Sequence, residues 1–186
     1  MSDAMPKAAS SVLVLVAHPD LRRSRVNAAL ADAVRGLRHI TVHDLYGAYG
    51  TAYDTADGPR PGARFDVPRE RALLGAHDTV VLQFPFYWYS TPPLLKQWLD
   101  EVVPYSRVYG GKSLRLAVTT GCAAHSYGPD GRTGFTMAEL LRPLEAVARV
   151  TGMRLDTPYV VYGAGGLSDD ALKLAAEGYA ELLSAG

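Results

Sequence analysis

The residues best suited to bind a flat ligand are four adjacent aromatics: Phe86, Tyr87, Trp88 and Tyr89. They follow a run at 78–84 whose apolar centre is typical of a buried parallel strand. Two prolines at 92–93 come next, and proline suits the first helical turn, where the N–H that it lacks would have no partner. The rings therefore occupy a strand-to-helix loop, where open α/β sheets bind ligands. Core packing is the alternative, but four adjacent rings favour a planar ligand.

A polar segment at 18–27 lies in the same kind of loop, between an apolar run at 11–17 and an amphipathic helix pattern at 24–37. Its His18, Ser24 and Asn27 can donate hydrogen bonds to phosphate oxygens. The start of the helix adds free N–H groups and the positive end of the helix dipole. Arginines in the segment reinforce the positive charge. The pattern predicts a phosphate site, with a solvated polar loop as the alternative.

The start of this segment, Ala17-His18-Pro19-Asp20, also resembles the metal-binding opening of zinc-dependent N-deacetylases. That motif needs a second acid directly after Asp20, where this chain has Leu21. The later histidine pair is missing as well, because the other histidines lie on predicted strands or stand alone. The zinc alternative is therefore disfavoured, and no metal is predicted.

A third candidate segment ends the predicted strand at 113–119 and reads Thr119-Thr120-Gly121-Cys122. Successive N–H groups in such a turn of small residues can stabilise a ring carbonyl that gains negative charge on reduction. By itself the segment is an ordinary turn. It gains meaning because the carboxyl ends of three parallel strands meet at one edge of a sheet, so that all three segments converge.

Five apolar runs alternate with helical patterns along the chain. The predicted strands are 11–17, 39–45, 78–84, 113–119 and 153–162. The predicted helices are 24–37, 68–75, 92–103, 136–151 with a bend near Pro143, and a last helix that Ser168 caps. Residues 46–66 are predicted to be a long surface excursion. The alternation predicts an α/β fold, a flavodoxin-like doubly wound five-stranded parallel sheet of order 2-1-3-4-5.

The composition argues against nucleic-acid-binding and membrane proteins. The 186 residues carry no net charge and the pI is near 7, so no global field favours nucleic acid or an anionic membrane. No apolar run approaches the roughly 20 residues of a membrane-spanning helix. The one cysteine, Cys122, has no partner for an internal disulfide, and the cytoplasm is the simplest location. Residues 1–10 are predicted to form a disordered leader before a single domain at 11–186.

The three segments, in this order, resemble those of the flavodoxin-like NAD(P)H:quinone oxidoreductases. That family includes DT-diaphorase and the ancillary oxidoreductases of glutathione-gated potassium efflux systems. The resemblance runs from Val12 to about Leu183. It implies that the flavin phosphate contacts His18, Ser24, Val26 and Asn27. It implies that the isoalloxazine ring lies against Pro85, Phe86, Tyr87, Trp88 and Tyr89, with its pyrimidine edge along Thr119, Thr120, Gly121 and Cys122. Tyr127 then faces the substrate.

One loop and one residue depart from the family pattern. The loop at 104–111 is several residues shorter than in the family, where it lies on the substrate side of the flavin. Its Tyr105, Arg107 and Tyr109 are candidates to close the pocket from a partner subunit, and Arg107 would favour an anionic or carbonyl-rich acceptor. Thr133 stands where DT-diaphorase has a histidine that handles a proton, which makes Thr133 a candidate catalytic residue.

These features predict an oxidoreductase that binds FMN, with FAD as the alternative flavin, and takes hydride from NADH or NADPH. It would pass two electrons to a quinone or related electrophile by ping-pong kinetics. The resemblance implies a homodimer with the active site at its interface. Two other functions stay open. One is a flavin-binding regulatory subunit of a membrane transport system, and the other is a dedicated biosynthetic oxidoreductase for a specialised metabolite.

Overall fold

Six parallel strands make up one sheet in the computed structural model, which describes residues 10–50 and 65–185. The strands are β1 Val12–Val16, β2 Ile40–Asp44, β3 Thr79–Pro85, β4 Ser113–Thr119, β5 Arg154–Leu155 and β6 Tyr159–Val161. Their order is β2-β1-β3-β4-β5, with β6 also paired to β4. The predicted flavodoxin-like order is therefore confirmed.

Seven α-helices lie between or after these strands in the described residues. They are α1 Arg25–Val34, α2 Leu45–Tyr49, α3 Val67–Ala76, α4 Pro93–Val102, α5 Met137–Leu140, α6 Arg142–Thr151 and α7 Asp169–Ser184. Most begin at a side chain that accepts a first-turn N–H, as Ser24 does for α1 and Ser168 does for α7. In the described ranges, none of these helices has both the length and the apolar composition to cross a membrane.

Side chains alternate between the two faces of the sheet, and each face has its own core. On one face, Val12, Val14 and Val16 of β1 pack in a cluster with residues of α1 and α7. On the other face, Leu13 and Leu15 pack in a cluster that residues of the remaining helices complete. Because both faces are covered, the central strands are apolar throughout rather than alternating.

The predicted fifth strand at 153–162 needs correction, because the structure divides it in two. Ser113 and Leu114 pair with β5, whereas residues 117–119 pair with β6. Pro158 lies in the gap and has no N–H to donate to a strand neighbour. Both short strands still lie along the same edge of β4, so the strand order is unaffected.

The predicted surface excursion at 46–66 also needs correction at its start. Residues 45–49 form α2, and Asp44 caps this helix by accepting the N–H of Gly47 at 3.0 Å. The remainder of the excursion at 51–64 lies outside the described residues, as does most of the predicted leader. The helix predicted at 136–151 is interrupted near Pro143, because α5 ends at Leu140 and α6 starts at Arg142.

Candidate functional site

The carboxyl ends of β1, β3 and β4 bring the three predicted segments together around two adjoining cavities. The first, here called the polar cavity, has a volume of about 340 Å³. It is lined by His18, Arg23, Ser24, Arg25, Val26, Asn27, Pro85, Phe86, Tyr87, Thr119, Thr120, Gly121, Ala164 and Gly165. The second, here called the aromatic cavity, has a volume of about 680 Å³. It is lined by Pro19, Tyr46, Phe86, Tyr87, Trp88, Tyr89, Pro93, Gly121, Cys122 and Tyr127.

His18 follows β1 and is held in one tautomer. Its Nδ1 accepts the backbone N–H of Asp20 at 3.1 Å, so the neutral ring carries its proton on Nε2. Burial lowers the pKa of His18, and the carboxylates of Asp20 and Asp44 offset this only in part. At neutral pH the ring is therefore an uncharged donor at the wall of the polar cavity.

The N-terminus of α1 opens onto the same cavity. Ser24 caps this helix, and its Oγ accepts the N–H of Asn27 at 3.2 Å, which leaves the hydroxyl proton of Ser24 available to another acceptor. Val26 is buried through its side chain and contributes its backbone N–H. In the described part of the chain, the cavity lining includes Arg23 and Arg25 and no acidic side chain. Arg25 is paired with Asp169, so the positive charge of Arg23 and the N-terminus of α1 are what favour an anion here.

Asn27 connects this helix to the other two strand ends. Its Nδ2 donates to Oγ1 of Thr119 at 2.9 Å, and its backbone carbonyl accepts Nε2 of Gln83 at 2.8 Å. Within the described residues, Oδ1 of Asn27 is buried and has no hydrogen-bond partner. Rotating the amide by 180° would let the Thr119 hydroxyl donate to Oδ1 and would free both Nδ2 protons. Asn27 thus keeps a buried, unsatisfied amide oxygen at the wall of the polar cavity.

The aromatic turn at 87–90 is strained. Trp88 and Tyr89 have φ angles of 47° and 60°, a left-handed conformation that costs a non-glycine residue about 1–2 kcal/mol. The N–H of Ser90 donates to the carbonyl of Tyr87 at 3.0 Å, and Phe86 anchors the turn to Thr119 of β4 through a 2.8 Å hydrogen bond. Trp88 is 92% exposed. Strain of this kind, held in place by its neighbours and next to a cavity, is characteristic of functional sites.

Tyr127 reaches the aromatic cavity from the loop after β4. Its ring lies 5.4 Å from that of Tyr162, and burial raises its pKa. The neighbouring turn is closed by Thr120, whose hydroxyl donates to the carbonyl of Cys122 at 2.7 Å. The N–H of Gly163 also donates to that carbonyl, at 2.8 Å. This segment therefore presents a phenol, a small turn and a half-buried thiol to one cavity.

The structure does not bring Thr133 and Arg107 together with these residues. The hydroxyl of Thr133 lies 2.9 Å from the carbonyl of Ser126 and 2.8 Å from that of Phe135, so it stabilises its own loop. Arg107 belongs to the segment between α4 and β4, at the amino edge of the sheet, where its Cβ lies near Gly152. Within one chain, Arg107 is on the opposite edge from the aromatic cavity.

Several lining residues were missed by the sequence analysis. Tyr46 belongs to α2, and its hydroxyl accepts the N–H of Leu94 at the start of α4, 3.3 Å away. The available signal was its place after β2, a fourth strand whose carboxyl end points to the same edge. Ala164 and Gly165 follow β6, the fifth such end. Arg25 ties this loop to α1 through Leu167 and Asp169.

A sheet of this order, with these two joined cavities at the carboxyl ends of its strands, is the arrangement in which doubly wound α/β proteins bind ligands. The chain belongs to the family described as having the flavodoxin-like fold, whose model matches residues 10–183. In the described ranges, no group of three or more His, Cys, Asp or Glu side chains is placed to hold a metal ion.

Two curated relatives match nearly the whole chain. The uncharacterized NAD(P)H oxidoreductase YrkL of Bacillus subtilis is 38% identical over 180 residues, which cover 93% of this chain and 97% of YrkL. The glutathione-regulated potassium-efflux system ancillary protein KefG of Pectobacterium carotovorum is 37% identical over 180 residues, which cover 93% of this chain and 92% of KefG.

Three solved structures are similarly close. A thermophilic tryptophan halogenase from Streptomycin violaceusniger is 37% identical with a TM-score of 0.82, covering 91% of this chain and 96% of its own. General stress protein 14 of Treponema denticola, in complex with FMN, is 34% identical with a TM-score of 0.81, covering 94% and 98%. An NADPH-quinone reductase from P. pentosaceus is 31% identical with a TM-score of 0.78, covering 93% and 97%.

Proposed function

We propose that this protein is a cytoplasmic FMN-dependent NAD(P)H oxidoreductase that passes two electrons to a quinone or a related small electrophile. The observation that carries the proposal is the pair of joined cavities at one sheet edge, one cationic and the other aromatic. FMN has the same two parts, a phosphate and a flat ring. Relatives named NAD(P)H oxidoreductase and NADPH-quinone reductase, and a neighbour in complex with FMN, support the same function.

The residues of the polar cavity fit a phosphate group. His18 offers an Nε2 proton, Ser24 offers its hydroxyl proton, and the first turn of α1 offers backbone N–H groups. Asn27 can turn its amide to supply a further donor. FMN is favoured over FAD because this site accounts for one phosphate group and the FMN-bound neighbour covers nearly the same chain length.

The residues of the aromatic cavity would hold the ring. When bound, FMN accepts hydride from NADH or NADPH and delivers two electrons to the second substrate. Phe86 and Tyr87 line both cavities, so they stand where the ring and the phosphate arm would join. The strained backbone of Trp88 and Tyr89 holds these rings at the cavity mouth instead of in the core.

Tyr127 is the residue that we assign to the electron acceptor. A phenol is protonated at neutral pH, so Tyr127 can donate a hydrogen bond to a carbonyl oxygen of the substrate, and burial raises its pKa further. None of the described residues that line the aromatic cavity carries a charge, which favours a neutral flat acceptor. One cavity for both substrates implies that they bind in turn, as in ping-pong kinetics. Thr133 would act by shaping the loop rather than by moving a proton.

A homodimer would complete the site. Trp88 and Phe135 are 92% and 55% exposed near the aromatic cavity, and Tyr105 of the short loop is 92% exposed. Large exposed apolar side chains favour burial against a second copy, which would also exclude water from the cavity. Arg107 can reach a substrate only from that second copy, because in its own chain it lies on the opposite edge of the sheet.

Two other functions have support of their own. The similarity to KefG favours a flavin-binding ancillary subunit of a potassium efflux system. The similarity to a structure described as a tryptophan halogenase favours a dedicated biosynthetic role. Both use the same cavities, so they differ from the main proposal in partner or substrate and not in cofactor.

The absorption spectrum of the purified protein, with and without added FMN, tests the cofactor. Anaerobic addition of NADPH or NADH should then bleach the flavin band, and a simple quinone should restore it. A protein that takes up no flavin would contradict the proposal. A protein that binds FMN but is not reoxidised by any quinone would favour the ancillary role.

A further inference from the structure

A fully buried carboxylate lies outside both cavities and takes no part in the function proposed above. Glu70, in the first turn of α3, is 1% exposed. Its Oε1 accepts hydrogen bonds from Nε2 of His43 at 3.0 Å and from the hydroxyl of Tyr49 at 2.6 Å. Its Oε2 accepts Nε1 of Trp98 at 2.9 Å. Glutamate is rarely buried unless its oxygens are satisfied in this way.

The three donors come from three different elements. His43 is on β2, Tyr49 is on α2 and Trp98 is on α4. One carboxylate of α3 therefore joins all of them, and each bond is the stronger because the acceptor is ionised. An uncharged side chain could not replace it fully, since an indole N–H donates only and an amide has one acceptor oxygen.

Two of these elements also form a wall of the aromatic cavity. Tyr46 lies three residues before Tyr49, on the same side of α2, and lines that cavity. Leu94 lies four residues before Trp98 on α4, and its N–H donates to the hydroxyl of Tyr46. The helices α2 and α4 are thus joined at two places. Tyr46 and Leu94 join them beside the cavity, and Tyr49 and Trp98 join them through Glu70.

The helix α2, which carries Tyr46, is too short to be stable without contacts to the rest of the protein. It has five residues, fewer than an isolated helix needs for stability in water. Its start is capped by Asp44, and its end is held through Tyr49 and Glu70. Without the carboxylate, the last turn of α2 would lose its tie to α3 and α4.

We propose that Glu70 is a positioning residue of the acceptor site, which fixes α2 against α4 and thereby sets the place of Tyr46 in the wall of the aromatic cavity. The proposal rests on the proposed function, because it concerns the site where the second substrate binds. The effect of Glu70 should fall mainly on the second substrate, because FMN is also held by its phosphate in the polar cavity, which is built on α1 and does not contact this cluster.

The test compares Glu70→Gln and Tyr49→Phe with wild type, all loaded with FMN. Glu145→Gln is the matched control, because Glu145 also lies in a first helical turn but accepts its hydrogen bonds from Arg149 on its own helix. We expect Glu70→Gln to raise the KM for a simple quinone roughly tenfold while the Kd for FMN stays within about twofold. Tyr49→Phe should give a smaller rise, and Glu145→Gln none.

Hydrogen exchange of the same variants provides a readout that does not depend on turnover. In Glu70→Gln, the amides at 45–50 should exchange faster while those of α1 do not change. An unchanged KM in Glu70→Gln, unchanged exchange at 45–50, or a parallel rise in the Kd for FMN would overturn the positioning role. Wild-type protein that binds no FMN would instead defeat the proposed function, and this role with it.

Discussion

Nδ2 of Asn27, in the first turn of α1, donates to Oγ1 of Thr119, the last residue of β4, across 2.9 Å. The two residues belong to different sequence segments, and each borders the polar cavity. This hydrogen bond joins the N-terminus of α1 to the carboxyl end of β4, so both segments together form the wall of the polar cavity.

Replacing Ser24 and Asn27 by alanine should weaken FMN binding. Each lost hydrogen bond to a charged phosphate should cost about 1.5–3 kcal/mol of binding free energy. Titration of the apoprotein with FMN measures the loss. Asp66→Ala is the matched control, because it removes the N-cap of α3, which lies away from the polar cavity. FMN affinity equal to wild type in the double variant would disprove the phosphate assignment.

Trp88 should matter to the flavin and not to the fold. Since its side chain is 92% exposed, Trp88→Ala should change the free energy of unfolding by less than about 0.5 kcal/mol, yet raise the fluorescence of bound flavin.

Trp88→Gly should be more stable than Trp88→Ala by about 1 kcal/mol, because glycine adopts the φ of 47° without strain. Equal stability of the two variants, measured by chemical denaturation, would show that the turn relaxes.

Tyr127→Phe should slow reoxidation of the reduced enzyme by a quinone more than reduction by NADPH. The proposed role of the phenol is to donate to the electron acceptor, so its loss should affect the second half-reaction more than the first. Stopped-flow spectroscopy separates the two steps, and Tyr162→Phe controls for the packing of the neighbouring ring. Because burial raises the pKa of Tyr127, reoxidation should persist to a higher pH than an ordinary tyrosine would allow. Equal slowing of both half-reactions would contradict this role.

Glu70 should also contribute to stability in a pH-dependent way. Burial by itself would raise the pKa of Glu70, but the hydrogen bonds from His43, Tyr49 and Trp98 outweigh it and lower the pKa below 4.5. The unfolded chain therefore binds the proton first as the pH falls. Glu70→Gln should cost about 1–3 kcal/mol at neutral pH, and this cost should shrink below the ordinary glutamate pKa. Denaturation curves over this pH range measure it, with Glu181→Gln as an exposed control.

Arg107→Ala should leave FMN content unchanged, because Arg107 lies at the amino edge of its own sheet. If a second copy places Arg107 over the substrate, the variant should lose activity with anionic acceptors more than with neutral quinones. Comparing kcat/KM for the two acceptor classes checks this. An unchanged ratio would remove Arg107 from the site in either copy.

Much of the fold could be predicted because its signals are local. The apolar runs of β1, β3 and β4 and the caps at Ser24 and Ser168 depend on a few neighbouring residues each. The fifth strand was less predictable, since its division at Pro158 depends on which residues of β4 it can reach.

The sequence by itself determined the chemistry available at the site: donors at 18–27, rings at 86–89 and a small turn at 119–122. These types are set by adjacent residues that follow strands, and parallel strands bring such segments to one edge. Only the tertiary structure decided which other side chains join them. Tyr46 enters the aromatic cavity because α2 packs on α4, and Arg107 is excluded because α4 carries the chain to the opposite edge. Glu70 looks like a surface residue in its helix pattern, and its burial depends on donors from β2, α2 and α4 that no local signal could reveal.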